Sequence, residues 1–274
     1  MSATLKLREH RLRVMEGVLD WEGEISNARV RRLFDLQPVQ ASRLLADFRA
    51  FKGDSLADSG RGQVIRAADA RKRVSKMSLD EYARLTDAVE GGVSGLVDAR
   101  VDLTAVPPHI FSVLRKAVIA GTGVVIGYGS MTSPVAAERL IYPHTIVHIG
   151  RRWHVRAWCA KRNEFRDFTL GRISSIAAVP DLAPQDVRVD RLWQKLVPIR
   201  LVAHRGLSEA QQRVVRAEYF KGTMARRQSV RACLVQYVIQ DIRASIDPGR
   251  ETPPEYQIEV ENLAEISAYL FRAA

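Results

Sequence analysis

The chain has 274 residues, of which 46% are hydrophobic. That excludes an intrinsically disordered class and leaves room for two or three domains with buried cores. Its formal net charge of +11 points to a polyanionic partner, nucleic acid before a membrane surface. The two cysteines, Cys159 and Cys233, rule out a disulfide framework and a four-cysteine zinc site.

The opening stretch, "MSATLKLREHRLRV", has no apolar core of secretion-signal length, and no apolar run approaches the roughly 20 residues that span a bilayer. A cytoplasmic protein without a membrane partner is the expectation. Residues 7–20 place Leu12, Met15, Val18 and Leu19 at helical spacing. Residues 26–35 read as a second helix, with Ser26 as N-cap and Val30, Leu33 and Phe34 apolar. After the short turn Leu36-Gln37, Pro38 opens a third helix, "PVQASRLLADFRAF". Its expected core face is Ala41, Leu44, Leu45, Phe48 and Phe51, and its polar face is Gln40, Ser42, Arg43 and Arg49.

Two short helices, a tight turn and a third helix form the helix-turn-helix pattern. The following "SLADSGRGQVIRAA" (55–68) reads as two short strands around a Ser-Gly-Arg-Gly turn, a wing with Arg61 at its tip. In such a head, early residues of the third helix meet base edges. Arg43 suits guanine and Gln40 suits adenine, each bidentately. The same three helices could form a subdomain whose polar face is merely solvated. The wing and the basic balance favour double-stranded DNA.

Residues 78–90 begin with a Ser78–Glu81 capping box and end at Gly91, Gly92 and Gly95. This helix is either a connector or part of the first domain. Residues 117–128, "AVIAGTGVVIGY", suit a buried strand, and 139–150 with 151–160 read as a hairpin around Gly150. "FRDFTLGRI" (165–173) follows the polar turn at 161–164.

The stretch 151–173, "RRWHVRAWCAKRNEFRDFTLGRI", holds six arginines and one lysine. Strand alternation puts Trp153, Val155, Ala157 and Cys159 on a core face and Arg152, His154, Arg156 and Trp158 on the other. The second face suits either solvent or a phosphate beside a stacked base. The charge sits in two places: residues 1–80 carry 16 basic and 11 acidic side chains, and residues 101–180 carry 10 and 4. Two basic segments suggest two anionic partners or one extended one.

Beyond residue 180 the chain is nearly neutral. A strand is expected at 198–204, and Ser208 with Gln211 caps the helix "SEAQQRVVRAEYF". A second helix is expected at 229–243, then a strand "EYQIEVEN" and a final helix "LAEISAYLF". This α+β unit either pairs two copies or packs only within its own chain. Reading a symmetric site needs a two-fold.

The combination "YGSMTSP…RLIYPHTIVHIGRRWHVRAWCAKRNEFRDFTLGRI" resembles a WYL domain, an Sm-like small β-barrel of bacterial transcription regulators. The name-giving tripeptide reads Trp153-His154-Val155 here. In that departure, and in the third helix, the wing and the C-terminal stretches, the chain resembles the WYL repressors of bacteriophage-defence operons of the BREX and CBASS kinds. Where the resemblance leads one to expect a tyrosine before the wing turn, this chain has Leu56-Ala57.

The resemblance implies an α+β multidomain chain. Its parts would be a winged helix-turn-helix (1–77), a helical linker (78–100), a WYL effector-sensing domain (101–180) and a C-terminal dimerisation extension (181–274). It implies a homodimeric repressor on an inverted-repeat operator, relieved by an anionic nucleotide or nucleic-acid effector. Carried over, the effector residues are Tyr128, Ser130, Arg139, His154, Arg156, Phe168 and Arg172, with Tyr128 and Phe168 as stacking walls.

No cofactor and no metal is expected, since no phosphate loop, HExxH motif or nucleophile elbow occurs. An activator is the alternative sign of regulation. An enzyme acting on nucleotides would have to use His154 or His144 with Asp167, and a suitable residue type without placement against a substrate proton supports no such role.

Overall fold

The computed structural model describes residues 3–53, 56–57, 64–67, 75–90, 96–97, 99 and 104–271. The chain forms two compact units, residues 1–100 and 101–274, both mixing helices with sheet that is antiparallel except for one parallel strand pair in the second. Among the described residues, no helix is long and apolar enough to cross a membrane.

In the first unit, α1 (Ala3–Glu22) leads through β1 (Glu24–Ser26) into α2 (Asn27–Phe34). Ser26 caps α2 as expected, its Oγ accepting from Arg29 N at 3.1 Å. Asp35, at φ +49°, ends the helix and turns the chain. Pro38 then opens α3 (Pro38–Lys52), where a missing N–H costs nothing and φ is already helical. The core is built by Met15, Val18, Leu19, Ile25, Val30, Ala41, Leu45 and Phe48. Phe51 departs from expectation: it is 54% exposed, because it lies in the last turn of α3 and touches Phe48 from outside the core. β2 (Leu56–Ala57) and β3 (Val64–Ala67) pair antiparallel, and β1 joins β3 with Ile25 opposite Ile65.

α4 (Leu79–Glu90) starts on the expected capping box, with Glu81 N donating to Ser78 Oγ and Ser78 N to Glu81 Oε2. It packs within the first unit, where Tyr82 and Leu85 lie against the core. Tyr82 Oη donates to Glu22 Oε1 at 2.9 Å and the ring stacks on Trp21, whose Nε1 donates to Met77 O. The same Glu22 carboxylate receives Arg29, so α1, α2 and α4 meet at one ion pair. Tyr82→Phe should therefore cost about 1.5–3 kcal/mol, as a hydrogen bond to a charged group. A urea unfolding midpoint equal to the parent's would show that this contact carries no load.

The second unit begins with α5 (Pro108–Ala120), ended by Gly121 at φ +67°. Residues 117–120, expected as strand, are its last turn. Ile110, Leu114 and Ala117 form a helical stripe buried under the sheet, and this periodicity overrides the strand-like run that follows. The sheet comprises β4 (Thr122–Tyr128), β5 (Ala137–Ile149), β6 (Arg152–Cys159), β7 (Glu164–Thr169) and β8 (Ile173–Leu182). Its order is β7-β6-β5-β4-β8, with β8 returning to pair antiparallel with β4. Gly150, at φ +55°, makes the expected β5–β6 turn.

Pairing of β5 with β6 slips by one residue between Pro143 and Thr145, leaving His144 as a bulge. Proline has no N–H to give the ladder, so an irregularity there is physically reasonable.

After β8 come α6 (Arg191–Gln194), β9 (Leu196–Ala203), α7 (Glu209–Phe220), β10 (Ala225–Arg231), α8 (Val235–Asp241), β11 (Ala244–Ser245), β12 (Ile258–Val260) and α9 (Leu263–Ile266). The sheet runs β10-β9-β12-β11 over a core of Ile199, Leu201, Phe220, Val235, Ile239 and Ile266. The Ser208–Gln211 capping box is present. The helix expected at 229–243 is shorter, because residues 229–231 extend β10 alongside β9. The closing strand and helix also contract, to β12 and α9.

Candidate functional site

Two faces carry the candidate residues. On α3 the side chains of Gln40, Ser42, Arg43 and Arg49 are exposed, as the helical stripe requires. Asn27, buried in the first turn of α2, donates Nδ2 to Pro38 O (3.1 Å) and to Ser42 Oγ (2.9 Å). One amide thus ties the start of α2 to the start of α3 and fixes Ser42. Arg43 and Gln40 line a groove of about 280 Å³ with Leu7, Arg8, Arg11, Leu36, Leu44 and Asp47. Arg8 is paired with Asp47 at 3.0 Å, and the Arg11 guanidinium sits over Phe34. Arg61 lies outside the described residues; β2 and β3, which precede and follow it in the chain, are paired.

The second face belongs to β6. Val155, Ala157 and Cys159 fill the core with Trp153 packed beside them, as alternation required. The opposite face is divided: Arg152 is exposed and Trp158 half-buried, whereas His154 and Arg156 are enclosed. His154 is 5% exposed and Arg156 3% exposed, because the segment after β8 covers them.

Arg156 donates Nε to Asp190 Oδ2 (2.7 Å), Nη2 to Asp190 Oδ1 (2.9 Å) and Nη1 to Asp167 Oδ1 (3.2 Å). This is a bidentate fork with a second carboxylate beside it. Asp190 is also bonded to His144 Nε2 at 3.2 Å and caps α6 by accepting from Trp193 N at 3.1 Å. His144, placed by the bulge, bonds Thr145 Oγ1 and lies edge-on to Trp193 and Phe165.

Burial opposes ionisation of Asp190, but hydrogen bonds from His144 and Arg156 outweigh it and hold the carboxyl well below the usual range. Burial likewise opposes the Arg156 charge, and the bonds to Asp190 outweigh it. Asp167 goes the other way: burial pushes its carboxyl up more than Arg156 pulls it down.

His154 sits two residues from Arg156 on the same face, its ring 4.8 Å from Tyr237. Its Nδ1 is buried and has no hydrogen-bond partner among the described residues. Burial first, then Arg152, Arg172 and His148, push the imidazole down to about 4. Its folded value lies below its unfolded value, so the unfolded chain binds the extra proton. Stability contributed by the neutral ring is present above about pH 6.5 and is lost as pH falls towards 4. The expected loss is about 3 kcal/mol across that window. Asp167, with its raised value, opposes the trend. Comparing melting temperatures between pH 7 and pH 4 for the parent and His154→Phe tests this: the difference should shrink in the variant, and equal slopes would exclude His154 as the source.

The remaining candidates are divided. Tyr128 and Phe168 are 6% and 3% exposed and pack edge to face at 5.1 Å inside the core, so neither ring offers a stacking wall. Tyr128 Oη accepts from Thr169 N. Arg139 pairs across from Ile126 on the core side of β5, with its Nε buried and without a partner among the described residues. The His144 bulge reverses the alternation between Arg139 and Val147, the residue opposite His154, so Arg139 and His154 lie on opposite faces. Ser130 is held in its own turn by Thr132 and Ser133.

Sequence reading missed Asp190, Trp193 and Tyr237. Their only local signal was an aspartate ahead of the short "RLWQ" helix, and nothing in that pattern says which strand it meets.

Residues 109–178 match the WYL domain family, and residues 196–266 match the family described as the BrxR transcriptional regulator, C-terminal dimerization domain. Among similar proteins, the DNA-binding transcriptional repressor CapW of Pseudomonas aeruginosa is 28% identical, covering 94% of this chain and 90% of its own. A CapW of Escherichia coli (strain KTE188) is 27% identical over 96% and 92%. Among solved structures, the proteasome accessory factor B/C (PafBC) of Arthrobacter aurescens gives a TM-score of 0.29 at 14% identity, covering 96% of this chain and 45% of that one.

Proposed function

We propose that this chain, which carries a WYL domain and a BrxR-type C-terminal dimerisation domain, acts as a homodimeric, sequence-specific DNA-binding transcriptional repressor rather than an enzyme. The observation that carries the reading is similarity along nearly the whole length to proteins named as DNA-binding transcriptional repressors.

On this reading residues 1–77 are a winged helix-turn-helix, 78–100 a linking segment whose helix α4 packs on that head, 101–180 an Sm-like effector-sensing barrel and 181–274 the dimerisation extension. Three helices with a small antiparallel sheet, and α3 with an exposed Gln40, Ser42, Arg43 and Arg49, support the first assignment. These four, with Arg61, contact an inverted-repeat operator, and the dimer's two-fold matches the operator's.

The effector is anionic, a nucleotide or a nucleic-acid fragment, and it releases repression. The residues that support this are the buried Arg156 and His154 on one face of β6 and the half-buried Arg172 close enough to His154 to depress its protonation. The resemblance of residues 151–173 supports a bacteriophage-defence operon as the target. A reporter fused to the chain's own upstream DNA tests the sign: expression should fall when the chain is supplied. A rise would make it an activator.

A further inference from the structure

We propose that the Asp190 carboxylate is an internal stand-in for the effector's anion, and that a phosphate group relieves repression by displacing Asp190 from Arg156. The proposal rests on the effector reading above and names how that site is switched.

The first argument is occupancy. The Nε–Nη2 fork of Arg156 is the geometry that recognises two oxygens of a carboxylate or of a phosphate. Asp190 fills that fork, with both residues buried to within 3% of complete. An anion approaching Arg156 must therefore exchange with Asp190. Exchange keeps the buried guanidinium paired throughout, so no isolated buried charge is created on β6.

The second argument is an unused polar atom beside the fork. His154 Nδ1, on the same face of β6, is buried and has no partner among the described residues, with Arg152 and Arg172 close enough to depress its protonation. A phosphate held by Arg156 has a polar atom within the next residue pair of the strand to bond, and Asp190 leaves that atom unused. Asp167 stays beside the guanidinium, and burial favours its neutral form, which limits its repulsion of an incoming phosphate.

The third argument is what Asp190 holds. The same carboxylate bonds Arg156, His144 and the first turn of α6. The Trp193 carbonyl in that turn accepts from Arg231, whose guanidinium also lies over the Trp193 ring at 4.9 Å. Two residues on, the Lys195 carbonyl accepts from Ala232 N, and the chain leads directly into β9, the strand on which the C-terminal sheet is built. Releasing Asp190 frees this connection at its anchor, so ligand exchange on β6 is felt in the dimerisation domain.

The test uses the full chain, with pyrophosphate as the probe. Calorimetry should show Asp190→Asn binding pyrophosphate about tenfold or more tightly than the parent, because a competitor that occupies the site most of the time lowers apparent affinity by the fraction left open. The gain should vanish in Arg156→Gln/Asp190→Asn. Binding no tighter in Asp190→Asn than in the parent overturns the proposal.

If Asp190→Asn does not fold, hydrogen exchange on the parent decides. Amides of residues 187–195 should exchange faster at saturating pyrophosphate, and unchanged protection there overturns it. Adenosine monophosphate and a four-nucleotide single strand, run in parallel, tell a free nucleotide from a nucleic-acid fragment by which one releases α6. Operator binding by the parent, measured on the same samples, separates the two levels. If it is present while the probe results fail, only the displacement falls; if it is absent, the repressor reading falls.

Discussion

Arg156→Ala should lower the stability of the second unit by about 3–5 kcal/mol, the cost of breaking a buried ion pair from one side. The variant strands Asp190 at 2% exposure and leaves Asp167, its side chain 13% exposed, without its cation. His144 and Trp193 N still bond Asp190, but neither supplies a fixed positive charge. Arg166→Ala is the internal control. Arg166 meets Glu164 at 2.9 Å with both side chains about half exposed, so its loss should cost about 0–1 kcal/mol. Thermal unfolding of the two variants side by side gives the answer. Equal, small shifts would mean that Arg156 is not the bolt between β6 and the α6 turn.

Arg43→Ala should weaken binding to the specific operator far more than to random DNA. A bidentate arginine–guanine contact discriminates by about 1–3 kcal/mol, and a symmetric dimer makes the contact twice, so the full loss is about 2–6 kcal/mol. The fold should survive, since Arg43 is exposed on α3 and the core side of that helix is Ala41, Leu45 and Phe48. Equal losses on specific and random DNA would make Arg43 a phosphate contact. No loss on either would mean that this face of α3 does not meet DNA.

The head was legible because its signals are local. Ser26, Pro38 and the Ser78–Glu81 box each fix a helix start through hydrogen bonds spanning three residues or a preset φ. The hairpin at Gly150 and the core side of β6 were legible for the same reason, since a positive-φ glycine and a period of two are properties of a few adjacent residues.

What escaped was non-local. Alternation correctly set Arg156 apart from Val155 and Ala157, but it could not say that Asp190, 34 positions later, would close over it. The bulge at His144 depends on how β5 meets β6, and it separated Arg139 from His154 despite their shared parity. α5 was hidden for a different reason. The Pro107-Pro108 start and the Gly121 stop were both in the sequence, but the apolar run on either side of Gly121 reads as strand until Ile110, Leu114 and Ala117 are counted at helical spacing.

The central claim is that this chain occupies a symmetric DNA site through α3. A footprint on the DNA upstream of its own gene tests it most directly. The account predicts two protected half-sites related by a two-fold and spaced by about one helical turn, roughly 34–36 Å, or a multiple of it, with the protection lost in Arg43→Ala. Uniform, unphased protection that Arg43→Ala leaves unchanged would contradict it.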